Sequence, residues 1–326
     1  MKRRAFIAGA LAVVTAPLAA QDKPAGRVYR IGVLETVPMT MNLVNMKEFR
    51  KGMRELGYVE GPNLVIAYRS AEGRGERYAE LAAELMRFKA DAILTRGTPA
   101  TLAAKNVAGA IPIVTAAVAD PVESGLAETL EQPGGNVTGL TSVTRELTPK
   151  RIELIKALVP NLTRIAAYTN LSNTAAVSSW KDIELTARSM GLEPQLLDVR
   201  RPEQIGSAFE EAVRRRADAL IVGIETLTQS NRRAIVELAA RHRLPAMYSV
   251  KDFVEGGGLI SYGVSYPHLY YRAAAYVDKI LKGAKPGELA MERPAKFELV
   301  INRKTARALD LVIPPDLFLR ADRVID

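Results

Sequence analysis

Three hundred and twenty-six residues exceed what one small core holds and suit either two lobes of common domain size or one large α/β domain. With 48% hydrophobic and 25% charged residues the composition is that of an ordinary globular chain, which excludes a disordered, collagen-like or membrane-embedded one. Lys and Arg number 45 against 36 Asp and Glu, a formal +9 that brings nucleic acid or anionic lipid into consideration, while the lack of cysteine excludes disulfides, thiol nucleophiles, thiolate metal sites and a lipidated N-terminal cysteine.

Lys2-Arg3-Arg4 precedes an uncharged, Ala/Leu/Val-rich run over 5–20, and polar Gln21-Asp22-Lys23 follows. This is the three-part layout of an export signal, removed after Ala20. Its sixteen apolar residues fall short of the ~20 that a membrane-spanning helix needs. Arg3-Arg4-Ala5-Phe6-Ile7 also resembles a twin-arginine signal, which exports proteins already folded, although a general signal begins with basic residues too. Removal takes three cations and no acid, so the mature chain carries +6.

From Arg30 onward short apolar runs alternate with helical patterns, the signature of βα units around parallel sheets. Residues 31–34 read as a buried strand; Phe49, Met53 and Leu56 then share one helical face, stopped at Gly57. A strand over 63–68, a helix marked by Tyr78, Leu81, Leu85 and Phe88, a strand over 91–95, a helix over 99–107 and a strand over 111–115 complete the first half. Further turn-rich breaks lie at Gly134-Gly135-Asn136, Gly256-Gly257-Gly258 and 283–287, with a helix over 269–281 between the last two.

The grammar repeats. Arg30-Ile31-Gly32-Val33 is echoed by Arg164-Ile165-Ala166-Ala167, Lys89-Ala90-Asp91 by Arg216-Ala217-Asp218, and Ile111-Pro112-Ile113 by Leu244-Pro245-Ala246. Pro112 lies 82 residues after Arg30 and Pro245 lies 81 after Arg164, so two similarly built lobes are expected, with a hinge where the chain crosses between them.

Ligands of open parallel sheets bind beyond the carboxyl ends of the strands. That rule selects Glu35 and Thr36, residues 96–98, residues 116–120, Thr169 and Asn170, Glu225 and Thr226, and residues 248–251. Thr98-Pro99 is the sharpest local feature: Thr suits an N-cap and Pro the first helical position, so free N–H groups there can receive a carboxylate, although a well-capped helix explains the pair equally. Glu225, on the matching loop of the second lobe, either meets an ammonium group or stands as a solvated loop acid. Asp120-Pro121 opens a helix and reads first as a cap. Asn170 either bonds ligand or holds its own turn.

Other signals fail. The chain has no Gly-x-x-x-x-Gly-Lys-Ser/Thr loop, no Gly-x-Ser-x-Gly elbow and no paired-His metal motif. His242, beside Arg241 and Arg243, ends a helical stretch where a cation meets the helix dipole, and His268 reads as exposed. Arg214-Arg215-Arg216 and Arg232-Arg233 lie near Glu210, Glu211 and Glu237, the pattern of solvated helix faces rather than a nucleic-acid surface.

Taken together these residues resemble the periplasmic substrate-binding proteins of ABC transporters with the type I binding-protein fold, in the branch related to tryptophan and tyrosine/phenylalanine binders. The carriers are Arg-Arg-Ala-Phe-Ile-Ala-Gly at 3–9, Glu-Leu-Gly-Tyr-Val-Glu-Gly-Pro-Asn at 55–63, Leu-Ala-Ala-Glu-Leu at 81–85 and Asp120-Pro121-Val122. Pro-Gly-Gly-Asn-Val-Thr-Gly at 133–139, Ser261-Tyr262-Gly263 and Ile280-Leu281-Lys282-Gly283 continue the match over nearly the whole chain. The resemblance implies two Rossmann-like α/β lobes with parallel sheets joined by three crossovers, a ligand between them, and delivery to a permease with a cytoplasmic ATPase. It also implies an acidic residue, commonly Asp, where this chain has Glu225, and an Asn-Pro loop where it has Asn170-Leu171-Ser172.

The expectation is an exported, non-enzymatic, monomeric periplasmic receptor with no cofactor, metal or nucleic acid, its first lobe built from 28–142 plus 258–286 and its second from 143–257 plus 287–326. Thr36, Gly97, Thr98, Asp120, Asn170, Glu225, Thr226, Tyr248 and Tyr262 are its expected ligand contacts. Among these, Thr98 would hold a carboxylate, Glu225 an ammonium, and Tyr248 or Tyr262 the body of an amino acid or related carboxylate. The rivals are a sensory module docking on a membrane kinase and, further off, an exported hydrolase; a DNA-binding regulator is disfavoured because no helix-turn-helix precedes the first strand.

Overall fold

A computed structural model describes residues 26–143 and 145–326. The export signal expected over 1–20 lies outside them. The first lobe alternates β1 (Tyr29–Glu35), α1 (Leu43–Glu55), β2 (Leu64–Ser70), α2 (Tyr78–Arg87), β3 (Ala92–Arg96), α3 (Thr98–Val107), β4 (Ile113–Val118) and β5 (Val137–Thr141). Its five strands pair in the order β2-β1-β3-β4-β5, all parallel. β1, β3, β4 and β5 are buried on both faces where helices cover them, which explains the unbroken apolar runs that the sequence shows there, while the edge strand β2 is only partly buried.

The second lobe repeats the scheme with α4 (Thr148–Leu158), β6 (Arg164–Thr169), α5 (Thr174–Ser189), β7 (Glu193–Asp198), α6 (Ile205–Arg214) and β8 (Ala219–Val222). It continues through α7 (Thr226–Ser230), α8 (Arg232–Arg241), β9 (Ala246–Tyr248), α9 (Lys251–Glu255) and β10 (Ile260–Val264). The chain then crosses back to place α10 (Tyr266–Leu281) on the first lobe, against α1, β4 and β5. It finishes in the second lobe with β11 (Phe297–Asn302), α11 (Arg303–Ala308), α12 (Pro315–Arg320) and β12 (Arg323–Ile325). The second sheet runs β12-β11-β10-β9-β8-β6-β7, parallel except for the antiparallel β10–β11 pair.

Three crossings therefore join the lobes: after β5, after β10, and before β11. Two boundaries expected from sequence move. Residues 258–264 belong with the second sheet, because β10 pairs with β9 and β11. Residues 287–292 stay with the first lobe, where Gly287 O accepts from Gly134 N, Met291 N donates to Leu130 O and Glu292 N to Gly139 O. The strand expected over 111–115 begins at Ile113 instead, because Ile111 N turns back to Ala108 O and proline offers no N–H at 112.

Candidate functional site

The loops after β1, β3, β6 and β8 face one another across the gap between the sheets and wall a cavity of about 110 Å³. On the first-lobe side β3 ends at Arg96, and Gly97 turns the chain with φ 84° and ψ 149°, a conformation that suits glycine, to start α3 at Thr98. Thr101 N makes the helix's first backbone bond, to Gly97 O. The N–H groups of Thr98 and Ala100 precede that bond, Pro99 having none, so the positive end of α3 abuts the cavity wall.

Arg96 itself is buried. Its Nε lies 3.0 Å from Glu35 Oε2, its Nη2 donates to Thr36 Oγ1 at 2.7 Å, and its guanidinium stands 5.5 Å from the centre of the Tyr266 ring. Glu35 is fixed in turn by the Thr36 N–H and by Asn42 Nδ2, each at 3.0 Å. Burial opposes charge on Arg96, but Glu35, with Tyr266 and Tyr68, outweighs it and raises the pKa. Arg151, on α4, is also buried in the wall and donates its Nε to Tyr262 O at 2.8 Å. Burial lowers its pKa to about 10, against the pull of Tyr266 and Tyr262.

On the second-lobe side Glu225 precedes α7, its N–H donating to Thr228 Oγ1 at 3.0 Å. Burial pushes its carboxyl up to about 8; the Asn170 N–H opposes that shift and nearby Asp198 adds to it. Three buried polar atoms in the cavity wall, Thr98 Oγ1, Tyr168 OH and Gln229 Nε2, have no hydrogen-bond partner among the described residues. Such groups cost about 1–3 kcal/mol each when left unsatisfied, which suits a wall made to meet a polar guest.

The lobes touch around the rim. Tyr78 OH and Thr226 Oγ1 lie 3.0 Å apart, and Ser178 Oγ donates to Glu123. Arg145, on the first crossing, pairs with Asp120 and Glu123 of one lobe and Asp182 of the other. The cleft is thus closed.

Of the contacts expected from sequence, Thr36, Gly97, Thr98, Glu225 and Thr226 line the cavity. Four do not. Asp120 caps its own turn through Glu123 N and joins Arg145 at the rim. Asn170 offers its N–H to Glu225 while its side chain accepts from Ser172 N, the turn-holding alternative. Tyr248 points into the second-lobe core, its ring 4.7 Å from Phe253, because alternation along β9 sends Ser249 rather than Tyr248 to the cavity. Tyr262 packs its ring 6.3 Å from Phe297 and gives Arg151 its carbonyl. Strand-end reasoning missed Arg151, Tyr168, Gln229 and Tyr266.

Residues 30–325 match the family model described as ABC transporter substrate binding protein, and the chain belongs to that family. Its two mostly parallel α/β sheets are those of type I periplasmic binding proteins. A protein of Clostridioides difficile (strain R20291) named tyrosine-binding protein is 29% identical over 265 residues, 81% of this chain and 76% of that one. The ABC domain of Streptococcus pneumonia in complex with L-Trp superposes with a TM-score of 0.84 at 27% identity, covering 91% of this chain and all (100%) of that one. A conserved domain protein of Vibrio cholerae gives 0.85 at 28% identity, with the same 91% and 100% coverage.

Proposed function

We propose that this chain is exported under the direction of residues 1–20 and serves as the solute receptor of an ABC importer, closing its lobes on an amino acid or related carboxylate. The observation that carries this is the closed cavity, with the α3 N-terminus and Thr98 on one wall and Glu225 on the other. A carboxylate receives N–H groups from α3 and a hydrogen bond from Thr98, while an ammonium group pairs with Glu225. The named ligands of the two relatives, tyrosine and L-Trp, each carry both groups. Closure removes both charges from water and presents a joined two-lobe surface to a permease, whose cytoplasmic ATPase then drives uptake. A monomer in the periplasm suffices for this.

Calorimetry tests the site. With the compound that co-purifies, identified by mass spectrometry, Glu225→Ala and Thr98→Ala are each expected to weaken binding at least tenfold, the loss of one charge-assisted or buried hydrogen bond. Unchanged affinity in both variants removes the assignment.

A further inference from the structure

The cavity straddles the carboxyl ends of the second sheet, and its two sides differ in chemistry. On the sheet face covered by α6, α7 and α8, Tyr168 and Leu227 join one core; on the face covered by α4 and α5, Ile183 and Ile221 join another. Alternation along β8 makes the split, sending Val222 to the first core and Ile221 to the second. The polar groups of the second-lobe wall, Glu225, Gln229 and the Tyr168 hydroxyl, come from α7, its N-cap and the strand residue on that face.

The α5 side is apolar. Ala175, Ala176, Ser179 and Ile183 follow the helical period down one face of α5, and all four line the cavity together with Ile221. Between Ala175 and Ile183 the helix rises about 12 Å, so the cavity runs on from the strand ends into the core of the second lobe. The polar atoms of this stretch are already bonded. Ser179 Oγ donates to Ala175 O at 2.9 Å, and Asn173 takes the Ala175 N–H with its side chain and the Ala176 N–H with its carbonyl. The start of α3, by contrast, has no side-chain cap. Beside α5, α4 brings Arg151 to the wall, bonded to Tyr262 O. The first lobe adds Ala117 and Ala119, again small and apolar.

A run of small side chains on a helix is by itself only a packing face. In this cavity it accompanies Thr98 Oγ1, Tyr168 OH and Gln229 Nε2, unpartnered among the described residues and on side chains of residues at most 3% exposed, which mark the space as one that a guest completes. We propose that the ligand's side chain lies along α5, that Ala176 and Ser179 set its girth above a floor of Ile183 and Ile221, and that this side chain is bulky and apolar. This deepens, and rests on, the reading of the cleft as an amino-acid receptor, with the carboxylate at α3 and the ammonium at Glu225. It also fills the role that Tyr248 and Tyr262, turned into other contacts, leave open.

Calorimetry on the full mature protein with alanine, asparagine, leucine, phenylalanine and tryptophan tests this. The best of the three bulky apolar ligands is expected to bind at least about tenfold tighter than alanine, and tighter by a similar factor than asparagine, which is close to leucine in size but carries an amide into an apolar seat. Ala176→Leu and Ser179→Leu are each expected to weaken the bulky ligands at least about tenfold while leaving alanine, which does not reach the seat, within about threefold. Ser179→Ala, which removes a hydroxyl bonded within its own helix, is expected to change neither. Native circular dichroism checks the variants, and the wild-type comparison stands without them if the leucine variants misfold. Binding without regard to size or polarity, or natively folded leucine variants that treat alanine and the bulky ligands alike, overturns the seat on α5 and leaves the amino-acid receptor intact. Binding of none of the five overturns both.

Discussion

Glu225 changes its proton affinity when the cleft shuts. Burial in the closed protein raises its pKa to about 8, whereas a solvated glutamate in an open cleft titrates near 4.3. The shift is upward, so the empty closed form holds the extra proton between those values, and empty closure becomes less favourable as pH rises from about 5 to 8. A facing ammonium reverses the shift. At pH 7, then, an amine-bearing ligand entering the closed form is expected to expel about one proton, seen as a binding heat that varies with the ionisation enthalpy of the buffer. Glu225→Gln should abolish that variation. Buffer-independent heat in the wild type would mean that Glu225 is already charged in the ligand-free protein, as in an open cleft. The expected ligand contacts that do line the cavity share a location, the carboxyl end of a strand or the helix start beside it, and location is what the strand-end rule reads. Arg151 and Tyr266 escape it because they sit on helices that begin just past lobe crossings. One signal was present for Arg151: it shares an apolar helical stripe with Ile155 and Leu158, where a charged residue is out of place unless it faces a polar interior.

The sequence echoes between the lobes turn out to be a device for aligning strands. Asp91 N donates to Arg30 O at 2.7 Å while its carboxylate takes the Arg30 N–H at 2.8 Å, and Asp218 treats Arg164 in the same way at 2.9 and 2.8 Å. Two residues earlier Lys89 and Arg216 adopt left-handed conformations, φ 57° and 55°, that turn each chain out of its helix. In both lobes the proline carbonyl of the third echo, Pro112 or Pro245, accepts from the preceding strand, through Ile93 or Leu220. Elements of this local kind were legible. The placement of β10 was not, since its sheet is decided by β11, which arrives from the other lobe after a crossing of its own. That junction is tight. A Cβ on Gly263 would lie 1.9 Å from Ser249 O, so Gly263→Ala is expected to destabilise the protein by about 2–4 kcal/mol in urea unfolding. A loss under about 0.5 kcal/mol would mean that the hinge strand yields freely.

At the scale of the molecule, the closed state is held by rim contacts that lie outside the cavity. Arg145 is partly exposed and paired with acids from both lobes, so Arg145→Gln is expected to cost the closed form about 1 kcal/mol and to speed ligand release about fivefold. Stopped-flow dissociation measures the rate, and small-angle scattering should show a larger radius of gyration in the ligand-free variant; no change in either would make the cluster a bystander to closure. The basic residues that first suggested nucleic acid are dispersed in surface pairs, Arg214 with Glu211 and Arg233 with Glu237 among them.

The triple crossing also governs the order in which the protein can be made. Helix α10, the partner of α1, emerges only after residue 266, and the second-lobe core draws Leu299, Ile301, Ala306 and Leu317 from the last thirty residues or so. The first lobe cannot finish its core before Met291 has emerged, nor the second before Leu317 has. A nascent chain of this protein therefore keeps both lobes incomplete until residues beyond 290 have emerged, and the second lobe waits longer than the first.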